Sequence, residues 1–286
     1  SDGKFDYYLS GRFYSYSGLF DSDKQTDKYN FHTHTQYCDG KVSMQTMAQA
    51  AAECGMLHLG FTPHAPIVCK SGCNMPFEAV KEYLLESERL KDSHNSNMNV
   101  WTSMEIDFLN KDFGPHIDYF QNLPLDYRLA SVHFVPNYDG IPIDCDGRYE
   151  RFRQRLHEEF RDDIRYVVEK FFEHTLTMIE LGGFDLLGHF DKIAHNASLA
   201  HPGIEESSWY EAYIDDIISK AQTSGLIIEV NTKAFVEHNR LFPSERWLKK
   251  VLSSGLNIMV NSDAHYAEKV NSGRKEALDI IKEIKQ

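Results

Sequence analysis

The stretch HTHTQYCDG, residues 32–40, sets His32 and His34 two positions apart with a carboxylate, Asp39, shortly after. Imidazole nitrogen and carboxylate oxygen without thiolate suit Zn²⁺, Mn²⁺ or Fe²⁺ rather than Ca²⁺. Alone, the stretch also describes a strand with two surface histidines. The same residue types recur along the chain, however: His64 in FTPH, Glu105 in MEIDF, His133 in SVHF, His189 and Asp191 in GHFD, Asp263 and His265 in NSDAH. So many titratable groups, if gathered in one place, repel and desolvate one another unless cations neutralise them. Six histidines and at least three carboxylates exceed what one ion binds at about four to six ligands. Two or three divalent ions sharing a bridging carboxylate would use them all. The other eight of the 14 histidines take the ordinary reading of hydrogen-bonded structural residues.

Such a gathering needs elements that aim distant segments at one place. Short apolar, β-branched runs occupy residues 29–34, 57–64, 99–108, 127–134, 184–191, 226–232 and 256–265, with helix-period segments between them. Seven strands alternating with helices predict a parallel sheet covered by helices, either open and doubly wound or closed into a barrel. Six of the seven runs finish in a histidine or a carboxylate. The spacing of two puts His32 and His34 on one face of the first strand. In parallel α/β barrels the C-terminal strand ends form one rim, where active sites are built. Local signals agree. Ser43 is placed to cap a helix, Pro76 to open one, and Gly225 and Gly255 to end two others. Residues 150–181 are long enough for two helices. Residues 29–286 read as a single α/β domain, and residues 1–28, rich in Gly, Ser, Asp and Tyr, as an N-terminal arm that could be flexible.

The formal net charge of −13 argues against a general nucleic-acid binder, because phosphate backbones are held mainly by Lys and Arg. No run of 18 apolar residues predicts a membrane span, and no signal peptide is visible. Five cysteines without a regular framework suit a reducing cytoplasm. Cys69 and Cys73 lack the second pair that a tetrahedral thiolate site needs and read as ordinary thiols.

Taken in order, HTHTQYCDG, FTPH, MEIDF, SVHF, GHFD, EVNT (229–232) and NSDAH resemble the polymerase and histidinol phosphatase (PHP) superfamily. The resemblance covers nearly everything after residue 28 and implies a distorted (β/α)7 barrel with a trinuclear metal site. Within the family, SVHF, a PID segment (142–144), GHFD and EVNT followed by FPS are most similar to the histidinol-phosphate phosphatases. Carried over by position, the resemblance puts His32, His34, Glu105 and Asp263 on one metal. Glu105 bridges to a second, completed by His133 and His189, and Asp39, His64 and His265 hold the third. Asp191 would orient a ligand or donate a proton. The implied reaction is hydrolysis of L-histidinol phosphate, in histidine biosynthesis, by water activated between two ions about 3.5–4 Å apart. Phosphate also calls for guanidinium or ammonium. Arg161 and Arg165, four apart in GRYERFRQRLHEEFRDDIR (147–165), would share a helix face, with Lys192 and Lys233 as further candidates. Rival readings are a phosphodiesterase or exonuclease of the same family, an amidohydrolase, and a non-catalytic metal-binding module. The oligomeric state is left open.

Overall fold

The computed structural model describes residues 27–286, so the expected arm falls almost wholly outside the described residues. Each of the seven apolar runs forms strand. The first two are β1 (Tyr29–Asn30) and β2 (His58–Phe61). The third run is split into β3 (Asn99–Thr102) and β4 (Glu105–Asp107), with Ser103 between them donating its N–H to the Phe61 carbonyl at 2.9 Å and its hydroxyl to the Tyr127 carbonyl at 2.6 Å. The fourth gives β5 (Leu129–Ser131), then an unexpected antiparallel hairpin of β6 (Phe134–Pro136) and β7 (Pro142–Asp144). The last three runs give β8 (Leu186–Leu187), β9 (Ile227–Asn231) and β10 (Ile258–Asn261).

Among the described residues, the strands outside the hairpin pair in parallel, in the orders β1-β2-β3 and β4-β5-β8-β9-β10. Two single bridges join these sheets. His64 pairs with Glu105, and Thr33 with Ala264, where the His34 N–H donates to the Ala264 carbonyl at 2.8 Å. The strand order therefore runs round a ring, the distorted α/β barrel. Its floor is a layer of Tyr29, Phe31, Trp101, Tyr127, Leu129, Leu186, Ile227 and Met259, contributed by strands all round the ring. Side chains alternate along a strand. The inward register of Trp101, Leu129, Ile227 and Met259 therefore continues upward to Glu105, His133, Glu229 and Asp263. The apolar floor and the polar rim are one face of the same strands.

The helices that clothe the ring begin with α1 (Met44–Glu53), whose first turn is capped by Ser43 accepting from the Thr46 N–H at 3.1 Å. Pro76 precedes a 3-10 turn, Phe77–Ala79, and α2 follows as Val80–His94, so this proline stands one step before the first turn rather than in it. After the short α3 (Asp118–Gln121), residues 150–181 hold the expected two helices, α4 (Tyr149–Phe160) and α5 (Ile164–Leu181). The remainder are α6 (Ile193–Ala200), α7 (Ser208–Ser224), α8 (Phe235–His238), α9 (Glu245–Ser253) and α10 (Arg274–Lys285). Gly225 and Gly255 adopt positive φ just past α7 and α9, as left-handed caps do. Among the described residues no helix is long and apolar enough to cross a membrane.

Candidate metal centre

At the upper rim, His32, His34, Asp263 and Glu105 converge from three different parts of the chain. Nε2 of His32 lies 3.0 Å from Nε2 of His34 and 3.3 Å from Oδ1 of Asp263, and His34 Nε2 lies 3.1 Å from that same oxygen. Glu105 Oε1 stands 3.4 Å from both imidazoles. With metal–nitrogen bonds of about 2.0–2.1 Å, the edge of a tetrahedron is roughly 3.3 Å. The donor atoms are thus spaced like neighbours on one coordination sphere. Asp263 holds its place with a left-handed backbone, φ 53°, an uncommon setting for a residue with a side chain and one that clusters at functional sites.

Glu105 faces two ways. While Oε1 looks at His32, His34 and, at 3.2 Å, His64 Nδ1, its other oxygen lies 3.0 Å from His189 Nε2 and 3.7 Å from His133 Nε2. That is the geometry of a bridging carboxylate. A third gathering surrounds Asp39 Oδ1, with His265 Nε2 at 3.1 Å, His64 Nε2 at 3.6 Å and His34 Nδ1 at 3.9 Å. The structure thus brings together all nine residues expected at the metals. Tight donor sets form from His32, His34 and Asp263, from His64, Glu105 and His133, and from His34, Asp39, His64 and His265. Relative to the expected grouping, His34 and His64 each face two sets, and His189 reaches the cluster through Glu105. Two glycines make the approach possible. A Cβ on Gly40 would overlap the backbone at Thr35, and one on Gly188 would overlap the Ser131 hydroxyl, which donates to Glu105 Oε2 at 2.8 Å.

Whether these residues fit metal ions is decided by atoms that find no other use. Among the described residues, Asp39 Oδ1, Glu105 Oε1, His133 Nε2, Asp263 Oδ1 and His265 Nε2 are buried without a hydrogen-bond partner. Buried polar atoms are almost always paired, since an unpaired one costs about 1–3 kcal/mol. Five such atoms pointing into shared gaps fit cations. Electrostatics agrees. Burial alone would raise the Glu105 carboxyl, yet His32, His133 and His64 hold it well below the usual range. Burial opposes protonation of His32, but Asp263, Glu229 and Glu105 together raise it to about 10. His133 is likewise raised to about 9, against burial, by Asp107 and Glu105. His265 goes the other way, to about 4, through burial and the neighbouring His34 and Lys233. Protons and metal cations compete for the same lone pairs, so metal uptake here is coupled to proton release.

A family model described as the PHP domain matches residues 30–233, most of this fold and of the rim. The chain belongs to the PHP family. This PHP protein is 22% identical over 265 residues to the "Probable histidinol-phosphatase" of Deinococcus radiodurans, a match covering 88% of this chain and 92% of that one. It is 24% identical over 243 residues to the DNA polymerase/3'-5' exonuclease PolX of Bacillus subtilis, across 84% of this chain but 35% of the polymerase. In fold it is similar to the histidinol phosphate phosphatase (HISK) of Lactococcus lactis in complex with zinc, L-histidinol and phosphate. There the TM-score is 0.70 at 19% identity, covering 90% of this chain and 94% of that one.

Several residues that serve the PHP centre escaped the sequence analysis. Glu229 is wholly buried behind His32, its Oε2 lying 2.6 Å from His32 Nδ1 and accepting from Asn261 Nδ2 at 3.0 Å. Its other oxygen accepts from Asn231 Nδ2 at 2.9 Å and from the His189 backbone N–H at 3.2 Å. Asp107 does the same for His133, with Oδ1 2.6 Å from Nδ1. Such carboxylates fix the imidazole tautomer that leaves Nε2 for a metal. His34 Nδ1 meets Cys38 Sγ at 3.4 Å, and His265 Nδ1 meets the Asp263 carbonyl at 3.0 Å. The available signal was charge in apolar runs: Glu229 in LIIEVNT, and Asp107 two positions after Glu105.

The expected catalytic and phosphate-binding groups are distributed differently. Asp191 is fully buried and belongs to none of the tight donor sets, its Oδ2 accepting from the Ser244 N–H at 2.9 Å. Burial pushes its carboxyl up to about 7. β8 has ended at Leu187, so alternation no longer governs where residue 191 points. Arg161 and Arg165 do not share a helix face either. Arg161 and Asp162 take left-handed φ values of 52° and 58°, which ends α4, and Asp163 caps α5. Arg161 stacks on Tyr138 at 4.2 Å; Arg165 pairs with Glu169 at 3.4 Å and covers Trp209. Neither lines the mouth above the metal-binding donors. Lys192 and Lys233 do, beside His64, His133 and Asp263.

Proposed function

We propose that this PHP-family chain is a metal-dependent phosphomonoesterase that cleaves L-histidinol phosphate to L-histidinol and phosphate. The observation that carries the reading is the two-faced Glu105, with imidazole sets on both sides, opening onto a mouth that also presents two lysines. His32, His34, Glu105 and Asp263 would hold one ion; Glu105, His133 and His189, with His64 alongside, a second; and Asp39, His64 and His265 a third. Bound there, divalent ions supply Lewis acidity toward phosphoryl oxygens and lower the pKa of water toward neutrality.

The chain's own residues do the rest. Lys192 is pinned by Asp146 at 2.9 Å, so its ammonium is ordered before substrate arrives. Lys233 stands 3.9 Å from Asp263 and is less constrained. Together they offer hydrogen-bond donors to a phosphate monoester at the metal rim. The His32–Glu229 and His133–Asp107 pairs keep the imidazoles in one orientation, so no reorganisation is needed at the moment of reaction. The choice of substrate is supported by the names of the Deinococcus and Lactococcus proteins and by the ligands in the latter. A nucleic-acid substrate is disfavoured by the net charge of −13 and by the carboxylates of the mouth.

The test is steady-state phosphate release by protein loaded with Zn²⁺, Mn²⁺ or Fe²⁺. A kcat/KM for L-histidinol phosphate roughly 100-fold above that for p-nitrophenyl phosphate is expected; equal values would defeat the substrate assignment. Within the same assay, Lys192→Met should lower kcat/KM at least roughly tenfold, since a hydrogen bond to a charged group is worth about 1.5–3 kcal/mol. Metal content should stay at the wild-type level. Unchanged kinetics would remove Lys192 from the phosphate site.

A further inference from the structure

One wall of the mouth is the β6–β7 hairpin, which brings Asp144 and, just past β7, Asp146 to the cavity over the metal-binding donors. Five aspartates line that cavity, and four have their charge taken up. Asp39 and Asp263 face imidazoles, Asp107 faces His133, and Asp146 is paired with Lys192. Asp144 differs. Its Oδ1 accepts from the Asp146 N–H at 2.9 Å, but its nearest cation, Arg155 Nη1, stands 3.6 Å from Oδ2 and donates to the Asp144 carbonyl oxygen instead. The Asp144 side chain is 30% exposed, so a ligand can reach it.

Acidity alone would not mark a ligand site. The same cavity, however, is lined by Asp263 and His133, both more than nine-tenths buried, whose Oδ1 and Nε2 have no hydrogen-bond partner. One continuous mouth therefore holds metal-binding donors, two ammonium groups suited to a phosphate, and a carboxylate whose ion pair, with Arg155, is long. That arrangement is complementary to a molecule bearing phosphate at one end and positive charge at the other.

We infer that Asp144 recognises a protonated amine on the substrate and selects amine-bearing phosphomonoesters over neutral ones. The inference deepens the phosphomonoesterase reading and rests on it. Asp144 acts on specificity and touches the amine, while the metal donors and lysines act on the phosphate. Asp146 is a poorer probe, because changing it would release Lys192.

The experiment compares wild type with Asp144→Asn, which keeps the Oδ1 acceptor and the side-chain shape but loses the charge. Substrates come in two pairs: L-histidinol phosphate with its des-amino analogue, and O-phosphoethanolamine with ethyl phosphate. At about pH 7.5 the amines are protonated and imidazole is mostly neutral. Wild type is expected to favour the amine-bearing member of each pair by at least about tenfold in kcat/KM, and Asp144→Asn to bring both ratios near one, mainly through KM. Asp144→Glu should restore part of the preference. Metal content and circular dichroism verify that each variant is folded and loaded. The inference is overturned if wild type has no preference for amines, or if Asp144→Asn keeps the wild-type ratios within twofold. Should the amine preference depend on Asp144 while L-histidinol phosphate is no better than phosphoethanolamine, the inference stands and the histidinol assignment falls.

Discussion

Glu105→Ala is expected to lower kcat/KM by at least about 1,000-fold, equivalent to about 4 kcal/mol of lost transition-state stabilisation, and to lower the metal content of the protein. No other side chain of the cluster opposes imidazoles with both oxygens: Oε1 faces His32, His34 and His64, and Oε2 faces His133 and His189. Its removal leaves these imidazoles without the charge that draws them and the ions together. It also opens two donor sets at once, which few single changes could do. Glu105→Gln separates charge from shape, because the amide keeps one oxygen but presents a nitrogen that cannot ligate to the opposite side. Elemental analysis alongside phosphate release makes the check. Glu105→Ala with a full complement of metal and kcat/KM within tenfold of wild type would show that the sets do not share this carboxylate.

Much of the barrel was legible because strands of a parallel sheet are covered on both sides and read as short apolar runs. Against that background a histidine or carboxylate at a run's end stands out, which is why residues scattered from His32 to His265 could be assigned to one rim. The hairpin was not legible. Its first strand ends on Pro136 and its second begins on Pro142, and proline argues against strand except at an edge or in an isolated ribbon, which is where these lie. The turn itself was written in the sequence: Asn137 Oδ1 accepts from the Asp139 and Ile141 N–H groups, and Gly140 takes φ 79°. Spacing misled where the backbone left its regular period. Arg161 and Arg165 are four apart, but a left-handed break lies between them, with Asp163 as the cap that could have announced it. Asp191 follows His189 by two, yet β8 ends at Leu187.

Which donor goes with which was also beyond the sequence, for a related reason. His34 and His64 each present one ring nitrogen to Glu105 and the other toward Asp39, so the sets interlock rather than partition. Interlocking of this kind depends on side-chain rotation and cannot be read from strand periodicity. It also means that substitutions at His34 or His64 should disturb two sets together, whereas those at His265 or His189 disturb one.

The residue behind the cluster supports the second large expectation. Glu229→Ala should destabilise the fold by about 3–5 kcal/mol, as removal of one member of a buried charged pair does, and should weaken metal binding by roughly 10- to 100-fold. Glu229 is wholly buried and accepts from His32, Asn261, Asn231 and the His189 backbone, so four donors lose their partner together. Those donors belong to β1's line, β10, β9 and the loop after β8, and the carboxylate thereby ties ligand orientation to closure of the ring. Against a typical total of about 5–15 kcal/mol, such a loss is a large fraction of the stability. Glu229→Gln retains an oxygen for two of the donors but turns an NH2 toward the other two; it should keep more of the stability than of the metal affinity. Chemical denaturation with and without added Zn²⁺, and competitive metal titration, separate the two effects. If Glu229→Ala unfolded at the wild-type midpoint and held metal as tightly, the orientation of His32 would have to come from elsewhere in the rim. The dependence of the metal centre on a carboxylate beneath it would then be refuted.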